Sequence, residues 1–287
     1  MRSSLVKIGI VQMSMSADIA KNLEKATVMA GEAASKGAHI VCLPELFTTQ
    51  YFAQRRFDKS AHMEKIPGPA TRALSRCAQE NKIVLVGGSI FEKSKKANYN
   101  TACVFGPDGS MLGNYRKMHI PHDEEFFEQD YFAPGDGGFK VFPTPFAKIG
   151  TLICFDQWFP EAARINALMG AQILFYPTAI ATSSHIEQAE GSWQDAWETV
   201  MRGHAIANNV AVCAVNRVGT EGDMSFWGGS FVSNAWGKVV AKADDQERVI
   251  VAELDLSLNK GVRSGWGFFR NRRIDSYGLI SKLKEPI

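Results

Sequence analysis

The chain of 287 residues is predicted to be an α/β protein. Short apolar runs alternate with stretches of helical period, the order β-α-β-α-β occurs twice, and turn signals after each pass mark hairpins. The first pass opens with Val6–Gln12, rich in Val and Ile, which reads as a strand. From Asn22 to Lys36 apolar residues return at helical spacing (Leu23, Ala26, Ala30, Ala33, Ala34), and Gly37 supplies a C-terminal stop. His39–Leu43 is a short apolar run ending at Pro44-Glu45. Pro69–Asn81 reads as a helix with proline in its first turn, and Ile83–Phe91 as a strand. The second pass has a strand at Ile149–Cys154, a helix at Pro160–Met169, a buried strand at Gln172–Tyr176, a longer helix from Ser192 to Asn208 and a strand at Val210–Asn216. Two such passes imply two mainly parallel layers facing one another, each covered by helices. Pro107-Asp108-Gly109 turns between Thr101–Phe105 and Met111–Tyr115, and Asn234-Ala235-Trp236-Gly237 between Phe231–Ser233 and Val239–Ala243, so hairpin strands extend both sheets. No linker, low-complexity run or charge block divides the chain, and residues 1–287 are expected to form one domain.

Composition narrows the function classes. With 32 Lys plus Arg against 30 Asp plus Glu, the net charge of +2 implies no polyanion partner. Arg270, Arg272 and Arg273 read as a salt-bridged or interface segment, since they lack the aromatic company of an RNA-binding patch. No apolar stretch approaches the roughly 20 residues that cross a bilayer. The opening segment is interrupted by Lys7 and reads as a strand, not a signal peptide. Cys42, Cys77, Cys103, Cys154 and Cys213 are odd in number and scattered, which suggests neither a disulfide framework nor a zinc site and fits a reducing cytoplasm.

Three residues stand out for chemistry. Cys154 ends an apolar run and precedes Pro160, which can open a helix. A thiol on a strand-to-helix turn is held rigidly beside backbone N–H groups, which suits a nucleophile whose attack creates an oxyanion. The alternative is a small core residue. Glu45 closes the run Ile-Val-Cys-Leu-Pro between apolar neighbours, at a strand's carboxyl edge where open α/β sheets place their sites. Desolvation there suits a general base, and a structural ion pair is the alternative. Lys117, in Tyr-Arg-Lys-Met-His, can stabilise a thiolate and a developing oxyanion, or be an exposed strand-end lysine. His204 reads as a packing group within a helix, His119-x-x-His122 lacks companion ligands for a metal, and Pro134-Gly135-Asp136-Gly137-Gly138 reads as a turn without a phosphate-binding helix.

Leu43-Pro44-Glu45, Tyr115-Arg116-Lys117-Met118-His119 and Ile153-Cys154-Phe155-Asp156 closely resemble the three signature segments of the nitrilase, or carbon–nitrogen hydrolase, superfamily. The resemblance extends from Lys7-Ile8-Gly9 to Trp266-Gly267 and Arg270–Arg273. It implies a four-layer α-β-β-α sandwich of two mixed sheets covered by helices, assembled as a dimer or larger homo-oligomer. The C-terminal segment, residues 258–287, would lie at a subunit interface. It also implies a cofactor-free, metal-free triad in which Glu45 is the general base, Lys117 the oxyanion-stabilising cation and Cys154 the nucleophile. The Phe155 N–H would be the second oxyanion donor. A further family glutamate matches Glu128; the residues alone leave Glu124 and Glu125 equally open.

The segment after the cysteine bears on substrate. Relatives acting on N-carbamoyl amino acids carry an arginine pair there that clamps a carboxylate, whereas this chain has Gln157 and Trp158. An uncharged or cationic tail is therefore expected. Cys154–Glu161, Tyr176–Ile180 and Ser264–Gly267 resemble the N-carbamoylputrescine amidohydrolases of the superfamily. That implies conversion of a linear ureide to putrescine, ammonia and carbon dioxide in polyamine biosynthesis. β-Ureidopropionase, ω-amidase and a silent binding protein of the same fold are the alternatives. Many amidohydrolases of this type have a Ser/Thr-Glu-Pro segment where this chain has Ala181-Thr182-Ser183-Ser184, so Glu187 or Glu190 would supply the missing acid. Tyr51 and Trp158 are candidate pocket walls. The expected partner is a small ureide or amide, with no nucleic acid and no membrane.

Overall fold

Side chains along Leu5–Gln12 (β1) alternate between two apolar surroundings, and this alternation sets the layers. The computed structural model describes residues 4–58, 61–183 and 191–283. Strand β1 is followed by helix α1 (Ile19–Ser35), β2 (Ile40–Cys42), helix α2 (Pro69–Asn81), β3 (Val84–Val86), β4 (Ile90–Lys93), β5 (Asn98–Phe105) and β6 (Met111–Arg116). Next come β7 (Val141–Pro143), β8 (Lys148–Thr151), α3 (Pro160–Leu168), β9 (Ile173–Thr178), β10 (Thr182–Ser183), α4 (Trp193–Asn208) and β11 (Ala211–Asn216). The chain closes with β12 (Val218–Glu221), β13 (Met224–Trp227), β14 (Phe231–Ser233), β15 (Val239–Lys242), β16 (Arg248–Asp255) and α5 (Ser257–Trp266).

One sheet has the order β16-β1-β2-β3-β5-β4, with β6 also paired to β5; the second has the order β15-β14-β11-β9-β8-β7, and β10-β13-β12 form a small third sheet. In the first sheet Ile8, Ile10, Ile40, Cys42, Val84 and Val86 share one buried core with Ile173, Phe175 and Val215 of the second. Their sequence neighbours Val11, Val41 and Leu85 pack with Ala26, Ala30 and Ala33 of α1 and Leu74 of α2. Ala162, Ala163, Trp197 and Met201 of α3 and α4 join the core of the second sheet. The result is the α-β-β-α sandwich.

The expectation of mainly parallel layers needs correction. Among the described strands, parallel strand pairs are β1-β2-β3 and β8-β9-β11, the strands joined by helical crossovers. The hairpins and β16 add antiparallel neighbours on both flanks. The read strand Ile83–Phe91 is two strands, broken at Gly87-Gly88-Ser89. Gly88 has φ +55°, and a Cβ there would stand 2.1 Å from the Pro44 carbonyl oxygen, so the break lets the chain pass close to Pro44-Glu45. The strand read to Cys154 ends at Thr151. β16 was not assigned from sequence: it is an edge strand, with Arg248 and Glu253 exposed and only Val249, Ala252 and Leu254 buried.

Helix boundaries follow local chemistry. Asp18 caps α1 by accepting from the N–H groups of Ala20 and Lys21, which starts the helix three residues earlier than its apolar period shows. Gly37, at φ +89°, ends it as expected. Ser192 accepts from the Asp195 N–H at the head of α4. Beyond α5, Ile274, Leu279, Ile280 and Leu283 are exposed, and Arg273 pairs with Asp275 at 2.7 Å. Among the described residues no helix is long and apolar enough to cross a membrane.

A Cβ on Gly9 would lie 2.8 Å from the Ala33 Cβ and 3.0 Å from the Ala38 Cβ. Gly9→Ala is therefore expected to lower stability by about 1–3 kcal/mol through overpacking of α1 against β1. The readout is a lower urea midpoint at constant slope, and an unchanged midpoint would contradict this contact.

Candidate active site

Glu45 leaves β2 on a sharp turn. Leu46 adopts φ +47°, its N–H donates to Ser89 Oγ at 3.0 Å, and the carbonyls of Glu45 and Leu46 accept from Arg217 Nη2 at 2.7 and 3.0 Å. Arg217 comes from the end of β11 in the opposite sheet, is fully buried, and pairs with Glu221 at 2.9 Å. Lys117 is fixed from both sides as it leaves β6. Its N–H donates to the Asn100 carbonyl (2.9 Å) and its carbonyl accepts from the Gly135 N–H (2.8 Å). The glycine-rich turn read from sequence thus has a use: a Cβ at Gly135 would sit 2.2 Å from the Arg116 carbonyl oxygen.

The Lys117 ammonium has no solvent exposure and donates to Glu45 Oε1 at 2.9 Å and to Glu128 Oε2 at 2.7 Å. Asn100 Nδ2 also donates to Glu45 Oε1, at 2.7 Å, while Glu45 Oε2 has no partner among the described residues. One oxygen of this carboxylate is thereby pinned and the other left free to take a proton. Glu128, in the single turn Glu128–Asp130, receives the Tyr51 hydroxyl on Oε1 at 2.9 Å.

Cys154 opens a short 3₁₀ turn, Cys154–Trp158, at φ +41°. Asp156 holds that turn: its carboxylate accepts from the Ile153 N–H (2.8 Å), the Tyr115 hydroxyl (2.7 Å) and the His119 N–H (3.1 Å). Cys154 is 7% exposed, and that fraction faces a cavity of about 530 Å³. Its thiol feels the charges of Glu45, Lys117 and Glu128. The structure therefore brings all four sequence-selected residues together, and it places Glu128 there rather than Glu124 or Glu125.

Electrostatics define the resting state. Burial, reinforced by Glu45 and Glu128 against the opposing pull of Lys117, pushes the Cys154 thiol well above its ordinary range, so the sulfur rests protonated. Burial works against the Lys117 ammonium, yet Glu128 and Glu45 together raise its pKa above the usual lysine value. Burial also raises Glu128 to about 6, with Lys117 and the Tyr51 hydroxyl restraining the rise.

Phe155, Gln157 and Trp158 line the cavity, as do Phe126, Ile180 and Trp193. Gln157 Oε1 accepts from Trp197 Nε1 at 2.7 Å, and its Nε2 has no partner among the described residues. Tyr51 is not among the described cavity-lining residues. It is fully buried beyond Glu128, with its N–H on Glu221 Oε2, so it supports the floor and is not a wall. Glu187 and Glu190 lie outside the described residues. His204 packs as expected: it is buried, burial lowers its pKa, and Nε2 lies 2.7 Å from the Gln157 carbonyl. His119 stacks on Phe159 at 3.6 Å, with Nδ1 2.7 Å from Asp156 Oδ1. Among the described residues no three His, Cys, Asp or Glu side chains group as metal ligands.

Sequence reasoning missed Asn100, Asp156 and Arg217. Arg217 carried a usable signal, since Asn216-Arg217 follows the apolar run Ala211–Val215 just as Glu45 follows Ile40–Leu43. Asn100 had none, because its partner Glu45 is distant in the chain, and for Asp156 the near partner Ile153 gave no hint of the distant Tyr115 and His119.

A carbon–nitrogen hydrolase family model matches residues 7–264, and the chain belongs to that family, within the nitrilase superfamily. It is therefore a hydrolase of carbon–nitrogen bonds. An N-carbamoylputrescine amidase of Arabidopsis thaliana is 43% identical, over 96% of this chain and 95% of that protein. A citrullinase of Francisella tularensis is 39% identical, over 96% and 98%. The crystal structure of a carbon–nitrogen hydrolase from Helicobacter pylori G27 superposes with a TM-score of 0.92 at 40% identity, covering 98% of this chain and 99% of that one.

Tyr51→Phe removes a hydrogen bond to the ionised form of Glu128. Losing it raises that carboxyl's pKa, so the acid limb of the pH–activity profile should move to higher pH by about one unit, with activity recovering on the alkaline side. An acid limb that stays in place would assign it to another group.

Proposed function

We propose that the protein hydrolyses a linear ureide or amide through a covalent thioester on Cys154. The observation that carries this reading is the buried ammonium shared by two carboxylates, one with a free oxygen, beside a thiol that opens into a cavity. Glu45 Oε2 takes the thiol proton as sulfur attacks the carbonyl carbon. Lys117 and the Phe155 N–H stabilise the tetrahedral oxyanion, an interaction typically worth about 3–4 kcal/mol per donor. Ammonia or an amine leaves with a proton returned by Glu45. Water activated by the same carboxylate then cleaves the thioester. Because the resting thiol is neutral, proton transfer accompanies attack and no standing thiolate is needed.

N-Carbamoylputrescine is the substrate this site suits best, giving putrescine, ammonia and carbon dioxide. The Arabidopsis relative bears that activity in its name. Gln157 and Trp158 stand where a carboxylate clamp would need arginine. Among the described residues lining the cavity, Asp123, Glu124 and Glu128 are acidic and none is Lys or Arg. A carboxylate tail would meet like charge from these side chains. The five cysteines, none in a disulfide, suit a reducing cytoplasm.

Cys154→Ala should reduce turnover by more than about 10⁴-fold while leaving the fold intact by circular dichroism. A panel of N-carbamoylputrescine, citrulline, N-carbamoyl-β-alanine and a dicarboxylic monoamide tests the substrate. The highest kcat/KM is expected for the first, and preference for an anionic tail would overturn the assignment.

A further inference from the structure

We propose that Asp123 and Glu124 form the subsite that holds the cationic end of the substrate. This rests on the amidase reading above and names the groups that would make it selective. Both residues line the mouth of the cavity whose floor carries Cys154 and Glu128. The floor carboxylates are committed: Glu128 and Glu45 each accept from Lys117. Asp123 and Glu124 form no ion pair with any described residue, and both are exposed. Their loop is not free to turn them away. Asp123 and Phe126 exchange backbone hydrogen bonds of 3.3 and 2.9 Å, Glu125 between them takes φ +60°, and the Phe126 ring packs 5.9 Å from that of Tyr51.

Two further observations point to a ligand of this kind. The wall between floor and mouth is aromatic, with Phe126, Trp158 and Trp193 on the cavity. Such rings accept a methylene chain and attract an ammonium over their faces. The fully buried Gln157 lines the same cavity with an unpartnered Nε2. The indole N–H of Trp197 can only donate, so it fixes Oε1 and leaves the amide N–H₂ to donate to an acceptor, which the ureide oxygen of such a substrate supplies and its ammonium does not. One effect opposes a cation: the N-terminal turn of α4, carrying Trp193 and Ala196, brings a partial positive charge. Asp195 in that turn offsets it, and the two carboxylates at the mouth outweigh the remainder.

The test pairs N-carbamoylputrescine with N-pentylurea, in which a methyl group replaces the ammonium. In Asp123→Asn/Glu124→Gln the ratio of the two kcat/KM values should fall about ten-fold toward the neutral ureide, mostly through KM. In the parent enzyme that ratio should shrink with added salt. A ratio that survives the double substitution overturns the proposal. Calorimetry of putrescine binding to Cys154→Ala, with and without the double substitution, separates this failure from failure of the substrate reading. Binding weakened about ten-fold supports the subsite even if another ureide proves the better substrate. Equal binding, or none to Cys154→Ala itself, removes the subsite whatever the enzyme hydrolyses.

Discussion

A single buried cation organises this molecule's chemistry. Lys117 has lost all contact with water and keeps its charge because two carboxylates stand within 2.9 Å. Such an arrangement is expensive to desolvate, and removing one member of a buried pair commonly costs about 3–5 kcal/mol because the survivor is stranded. The cluster of two carboxylates and one ammonium carries a net negative charge. Burial, reinforced by these carboxylates, keeps the neighbouring sulfur protonated. Within this cluster Glu45 Oε2 is left without a partner among the described residues. Asn100 shares Glu45 Oε1 with Lys117, whereas the Tyr51 hydroxyl and Lys117 occupy both oxygens of Glu128.

The centre belongs to neither sheet alone. Glu45 and Lys117 come from the ends of β2 and β6, Cys154 from the turn after β8, and the arginine that fixes the Glu45 turn from the end of β11. β2, β8 and β11 belong to the parallel cores of the two sheets, whose carboxyl ends are where α/β sheets gather ligand sites. The positive φ angles of Leu46 and Cys154 mark where backbone regularity yields to placement. The first is held by Ser89 and Arg217, both distant in sequence, and the second by Asp156 of the same turn, which accepts from the Ile153 N–H.

What could be read from sequence follows from the range of the forces involved. Pro69–Asn81 was legible to the residue because proline at its start and its own apolar spacing define it locally. Glu45, Lys117 and Cys154 were legible as polar groups at the ends of apolar runs, and their grouping came from family resemblance. Glu128 needed that resemblance, since Glu124 and Glu125 have the same local chemistry. The break at Gly87-Gly88-Ser89 could not be read, because its cause is the Pro44 carbonyl and the Leu46 N–H more than forty residues away. Tyr51 was misjudged as a wall because an aromatic residue near a site has two faces to offer, and sequence does not say which one the cavity meets.

The pairing of β16 with β1, from Leu5 opposite Asp255 to Gln12 opposite Arg248, has a consequence for biosynthesis. β1 leaves the ribosome more than two hundred residues before its partner β16. Until residues 248–255 emerge, β1 presents a bare row of amide and carbonyl groups beside Ile8 and Ile10, the kind of border that recruits strangers. The nascent chain stays open to aggregation along this edge until the late strand closes that border.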